Sequence, residues 1–118
     1  MKRYAGICVG LLMTSIAAQA ANIDPIDPAQ CRVVTPSPLL DLPTNSEISA
    51  EVKRLMDDAI EVSQSTEIID SKKHAFTWAN EAKAACGIAY GYLRTNTRDS
   101  EFISKCDCFH QRMEQYAY

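Results

Sequence analysis

The sequence predicts a small all-α protein, a three-helix bundle stapled by disulfides and preceded by an extended, proline-rich arm. Three observations predict this fold. Apolar residues recur at helical spacing in three segments, all five prolines fall between residues 21 and 43, and an even number of cysteines follows a predicted signal peptide. We expect the helical domain to span residues 46–118, with room for a short fourth helical turn between its first two main helices.

The first 20 residues have the pattern of a secretory signal peptide. Lys2 and Arg3 precede an apolar run from residue 5 to residue 18, and Ala18-Gln19-Ala20 supplies a small-x-small cleavage site. The apolar run is shorter than the about 20 residues that a membrane-spanning helix needs, although an uncleaved anchor remains an alternative. The prediction is therefore a periplasmic or secreted protein that loses Cys8 with its leader.

The charge balance argues against one class of function. Loss of the two positive charges of Lys2 and Arg3 takes the formal net charge from −3 to −5. Non-specific nucleic-acid binding needs a cationic face that neutralises phosphates, so we expect no nucleic-acid partner.

The segment from residue 21 to residue 45 is predicted to be an extended arm. Each of its prolines removes a backbone donor and disfavours helix at the preceding residue. Cys31 and the apolar residues Val33, Val34, Leu39 and Leu40 indicate that the arm is held against the bundle. For residues 21–30, a disordered spacer remains an alternative.

The first main helix begins after Pro43. The sequence Thr44-Asn45-Ser46-Glu47 fits a capping box, in which the side chains of Thr44 and Glu47 satisfy free backbone donors. An apolar stripe follows at helical spacing, with acidic residues on the opposite face. The stripe consists of Ile48, Val52, Leu55, Met56, Ala59 and Ile60.

The central helix is predicted to start at Asp70 or Ser71 and to end near Leu93. It carries two apolar stripes, which indicates neighbours on two sides. Gly87 and Gly91 each lower helix propensity by about 1 kcal/mol, and we interpret them as positions that let a neighbouring helix approach closely. The main stripe is Ala75, Ala79, Ala82, Cys86, Ala89 and Leu93, and the second is Trp78, Ala85 and Tyr92.

The last helix forms a hairpin with the central one. Residues 94–98 are predicted to turn the chain, after which Thr97 or Asp99 caps a helix that has acidic residues in its first turn. Its large apolar residues complement the small residues of the central helix. They are Phe102, Cys106, Phe109, Met113 and Tyr116.

Helix geometry selects one of the three possible disulfide pairings. Cys86 lies ten residues before Asn96 and Cys106 lies ten after it, so the two face each other across the hairpin. Cys108 is rotated by about 200° around the helix axis from Cys106, which leaves it for Cys31. The prediction is Cys86–Cys106 and Cys31–Cys108, in keeping with an oxidising compartment.

One group of residues in the sequence has the character of metal ligands. In a strand, Cys106, Cys108 and His110 would share a face and could bind Cu(I) or Zn²⁺, which is an alternative function, periplasmic metal binding. On a helix they do not converge, and disulfides would remove the thiolates, so we predict no metal and no cofactor. For His74 and His110 we favour structural roles, with His110 hydrogen-bonded at the edge of its stripe. Because the common enzymatic motifs are missing, we predict that the protein is not an enzyme.

Aromatic and basic residues indicate a protein-binding surface. Arg98, Lys105 and Arg112 recur every seven residues along one edge of the last helix, and Trp78 and Tyr92 add aromatic side chains. Arginine and aromatic residues are frequent anchors of interfaces. The alternative is that Trp78 and Tyr92 pack on the first helix. We expect an accessory or inhibitor-like protein whose partner is another envelope or periplasmic protein, with a homodimer as an open alternative.

One short stretch carries a resemblance. The run from Ala85 to Leu93, ACGIAYGYL, is similar to the cysteine-glycine helix of small exported helical immunity proteins that neutralise cell-wall amidases. The similarity covers fewer than ten residues. It implies an immunity protein as a further alternative function.

Overall fold

A computed structural model describes residues 31–32, 35–70 and 74–117 of the chain. These residues form four α-helices, which are α1 (Asn45–Gln64), α2 (Thr66–Asp70), α3 (Ala75–Arg94) and α4 (Ser100–Ala117), preceded by a short 3-10 helix (Pro38–Asp41). Within these ranges the protein has no strand. The predicted all-α fold is therefore confirmed. The predicted signal peptide and residues 21–30 lie outside the described residues.

Helix α1 begins at the predicted capping box. The Thr44 hydroxyl accepts a hydrogen bond from the Glu47 backbone N–H at 3.1 Å, and the Glu47 carboxylate accepts one from the Thr44 N–H at 3.1 Å. These two bonds satisfy donors that a helix start leaves without partners. The apolar face of α1 is buried, as the stripe predicts; its buried residues include Ile48, Val52, Leu55, Ala59 and Val62.

Helix α3 starts later than its sequence pattern predicts. Residues 66–70 form a separate helical turn, α2, in which the Ile69 N–H bonds to the Ser65 carbonyl at 3.0 Å. Asp70 is the last residue of that turn, so it cannot be the N-cap of α3. His74 occupies the N-cap position, and its side chain makes no capping bond. The predicted cap at Asp70 is thus wrong, and Ser71 lies outside the described residues.

A tight turn joins α3 to α4. The Thr97 N–H bonds to the Tyr92 carbonyl at 2.9 Å and the Asn96 N–H to the Leu93 carbonyl at 3.0 Å, the bonding pattern of a Schellman motif. Asn96 has a positive φ of 59°, a conformation that asparagine tolerates better than most residues. Asp99 then caps α4 by accepting a bond from the Phe102 N–H at 2.9 Å. Of the two predicted caps, Asp99 is confirmed.

Both predicted disulfides are present. Cys86–Cys106 joins α3 to α4, and Cys31–Cys108 joins the segment before the 3-10 helix to α4. Cys31, Cys86 and Cys106 are completely buried. The bridges therefore run through the core, and they fix the hairpin and the arm on the same helix.

Gly87 and Gly91 do not make room for a neighbouring helix. A Cβ atom at Gly87 would come no nearer than 3.9 Å to the Met56 sulfur, and one at Gly91 would meet nothing within 4 Å. The proposed role of these glycines in close packing is therefore wrong. Alanines allow the approach instead, since Ala79, Ala82 and Ala89 are completely buried.

No helix in the described part of the chain combines the length and the apolar character that crossing a membrane requires.

Candidate functional site

A groove of about 290 Å³ lies between α3 and α4. Its apolar lining comes from successive turns of the outer side of α3 and from two aromatic residues of α4. The arm closes one side, because Cys31 is held there by its disulfide to Cys108. The lining residues are Cys31, Arg32, Glu81, Ala84, Ala85, Ile88, Phe102, Lys105 and Phe109.

Charged side chains border this apolar surface. Arg32 and Glu81 are two of the lining residues, and Lys105 is a third. The Lys105 ammonium forms an ion pair with Glu101 and lies 5.3 Å from the centre of the Phe102 ring, within cation–π range. An apolar surface bordered by acidic and basic side chains has the composition of a small protein-binding surface.

The structure separates the predicted partner-binding residues. Tyr92 is 42% exposed and its ring lies 6.3 Å from that of Phe102, so Tyr92 extends the groove surface. Trp78 is completely buried and its ring packs 5.9 Å from that of Phe109. Trp78 therefore belongs to the core and offers no surface to a partner.

Two predicted arginines make contacts within the chain. Arg98 donates to the Asn45 side chain at 2.9 Å and to the Leu40 carbonyl at 3.3 Å. These bonds connect the α3–α4 turn to the start of α1 and to the 3-10 helix. Arg112 donates to Gln115 at 3.3 Å on α4 itself. Neither residue lines the groove, so of the three predicted basic residues only Lys105 does.

Sequence reasoning missed Ile88 and Arg32. Ile88 is 43% exposed although it is a large aliphatic residue in the middle of α3. The sequence did contain a signal for this exposure. Ile88 fits neither of the two apolar stripes of α3, so no neighbouring helix was expected to cover it. Arg32 had no local signal, because it is brought to the groove by contacts between the arm and α4, above all the Cys31–Cys108 bridge, that join residues far apart in the sequence.

His110 lies in a second polar constellation, away from the groove lining. It is 3% exposed, and its Nε2 atom lies 2.6 Å from an Asp58 carboxylate oxygen on α1. The hydrogen bond expected for His110 is thus confirmed. The set Cys106, Cys108 and His110 does not form a metal site, because both cysteines are disulfide-bonded and offer no thiolate.

Comparison with protein-family models, with curated proteins and with solved structures finds no match to the chain.

Proposed function

We propose that the mature chain is an exported, non-enzymatic protein that acts by binding another protein of the envelope or periplasm, as an accessory or inhibitor-like factor. The single observation that carries this proposal is the α3–α4 groove, an apolar surface with an exposed isoleucine and an exposed tyrosine at its edge. The two disulfides indicate an oxidising, extracellular compartment and hold this surface in shape.

The groove favours a partner segment with an apolar anchor next to a carboxylate. Ile88 and Phe102 offer apolar surface to the anchor, and Arg32 and Lys105 offer charge to the carboxylate. Both parts of the contact are needed for specificity, since burial of apolar area supplies affinity and charge complementarity selects the partner. The chain as a whole is acidic, whereas two of the three charged residues that line the groove are basic.

The test is affinity capture with the mature, oxidised chain as bait in an envelope extract. The groove variants are Ile88→Glu and Lys105→Glu. Each has a matched control. Ile69 on α2 is 46% exposed and outside the groove lining, and Lys53 on α1 forms an (i,i+4) ion pair with Asp57, as Lys105 does with Glu101.

We expect one envelope protein to be enriched by the wild type and by both controls, Ile69→Glu and Lys53→Glu. Enrichment should be lost with Ile88→Glu and reduced with Lys105→Glu. If nothing is enriched, or if the groove variants capture as much as their controls, the proposed binding function is wrong.

An immunity protein against a cell-wall amidase is a second candidate. The observation that favours it is that the resembling stretch, residues 85–93, carries both Ile88 and Tyr92 at the exposed edge of the groove. Inhibition of an amidase by the mature chain, lost with Ile88→Glu, would support this candidate. If the mature chain neither binds nor inhibits the amidase, the immunity-protein candidate is wrong.

A further inference from the structure

We propose that Asp58, His110 and Glu114 form a binding site for a divalent transition-metal ion, distinct from the groove. One ligand atom from each side chain, a ring nitrogen of His110 and a carboxylate oxygen of each acid, lies within 4.8 Å of the other two. Two ligand atoms on a tetrahedral zinc ion are about 3.4 Å apart. An ion bound to Nε2 of His110 would therefore take the place of its hydrogen bond to Asp58, and Glu114, which now lies beside Nδ1, would swing toward the Nε2 side.

Helix geometry brings the three residues together. His110 and Glu114 are four residues apart on α4 and therefore share a face, with His110 Nδ1 4.0 Å from a Glu114 oxygen. Asp58 approaches from α1, where the neighbouring Ala59 packs in the core. An ion at this position would join the two helices.

The charges at the site favour a cation. Asp58 and Glu114 both contact His110, and within the described residues neither carboxylate forms an ion pair with lysine or arginine. Two carboxylates would balance the charge of a divalent ion, and imidazole with carboxylates is a ligand set that suits zinc and its neighbours.

Burial gives the site a fixed part and an adjustable part. The His110 side chain is 4% exposed, so packing sets the position of its ring. The side chains of Asp58 and Glu114 are 30% and 53% exposed, and they can move to close on an ion that enters from solvent. With three protein ligands, a fourth coordination position would be left for water.

The metal site involves none of the cysteines. It therefore differs from the metal site that Cys106, Cys108 and His110 would form in a reduced chain. Metal binding at the new site does not depend on protein binding at the groove, so each can be tested without the other. Oxidised protein is the correct material for its test, because reduced cysteines would themselves bind zinc.

The test is calorimetric titration of the oxidised mature chain with Zn²⁺. We expect one ion per chain, with affinity lowered at least about tenfold by Glu114→Gln. Glu114 is exposed, so this variant is expected to fold normally. The matched control is His74→Gln, which changes the only other histidine of the chain and should bind as the wild type does.

A second measurement uses Co²⁺ as a spectroscopic probe. Visible absorption bands of the bound ion should appear with the wild type and with His74→Gln, and should be absent with His110→Gln. The proposal is overturned if the wild type binds no Zn²⁺, if Glu114→Gln binds with unchanged affinity, or if His74→Gln abolishes binding.

Discussion

The two disulfides attach two different regions to α4. Cys86–Cys106 closes the α3–α4 hairpin, whose helices also pack along their whole length, and its two cysteines are 20 residues apart. Cys31–Cys108 attaches the arm, and its cysteines are 77 residues apart. The hairpin is thus held by packing along its two helices and by a bridge, whereas the arm is held by its bridge, by a few polar contacts and by the packing of Leu39, Leu40 and Leu42 against the core.

This difference assigns different roles to the bridges. The hairpin bridge supports an arrangement that the apolar stripes already favour. The arm bridge places Cys31 and Arg32 at the groove, so it builds part of the proposed binding surface. We therefore expect loss of the arm bridge to change both stability and partner binding, and loss of the hairpin bridge to change mainly stability.

The largest effect should follow from breaking the arm bridge with Cys31→Ser and Cys108→Ser together. In the loop-entropy picture, a closed loop of 77 residues contributes about 4.5 kcal/mol to the free energy of unfolding. Urea denaturation followed by far-UV circular dichroism measures the loss. Partner capture should fall as well. An unchanged free energy of unfolding would show that the arm is held by its other contacts.

Breaking the hairpin bridge with Cys86→Ser and Cys106→Ser should have a smaller effect. Its loop of 20 residues contributes about 3.3 kcal/mol in the same picture. The helices should remain paired, because the buried alanines of α3 still pack against α4. The same urea titration checks this value. A loss larger than that of the arm variant would reverse the comparison.

The sequence predicts the hairpin better than the arm. Helical spacing predicts the stripes of α1, α3 and α4, and the symmetric positions of Cys86 and Cys106 about Asn96 predict their bridge. These features follow from local periodicity. The burial of Trp78 and the exposure of Ile88 depend on which sides of α3 are covered, and periodicity does not decide that.

Polar contacts between residues far apart in the sequence could not be predicted, for a related reason. Ser37 and Asp107 are 70 residues apart, and Asp58 and His110 are 52 apart. Whether such pairs meet depends on the angle and register between elements, which a single sequence does not specify. His110 had a partial signal, since it lies four residues after Cys106 and therefore borders the inner stripe.

A third prediction concerns the polar attachment of the arm. The Ser37 hydroxyl donates to an Asp107 carboxylate oxygen at 2.6 Å and accepts from the Leu39 N–H at 3.1 Å. Ser37→Ala removes both contacts at a 5% exposed position, and should cost about 1–2 kcal/mol in the free energy of unfolding. The matched control is Ser46→Ala on the exposed side of α1, which should change the urea midpoint little. Equal midpoints for the two variants would show that the hydroxyl contacts of Ser37 do not help to hold the arm.

The smallest effect should be a gain in stability within the hairpin. Gly91 lies in the interior of α3, is exposed, and has no atom within 4 Å of the position of an added Cβ. Gly91→Ala should therefore raise the free energy of unfolding by about 0.5–1 kcal/mol, since alanine loses less backbone entropy in a helix. Urea denaturation measures the gain.

Gly87→Ala is the matched variant for this last prediction. Its Cβ would lie at an ordinary van der Waals distance, 3.9 Å, from the Met56 sulfur, so a similar gain is expected. A loss of stability at Gly91 alone would contradict the open space seen around it. If Gly91→Ala raised stability but abolished partner capture, the added methyl group would be blocking the partner. Gly91 is next to Tyr92, so this result would show that the backbone of the partner lies close to α3 at Gly91. The binding surface would then extend beyond the groove.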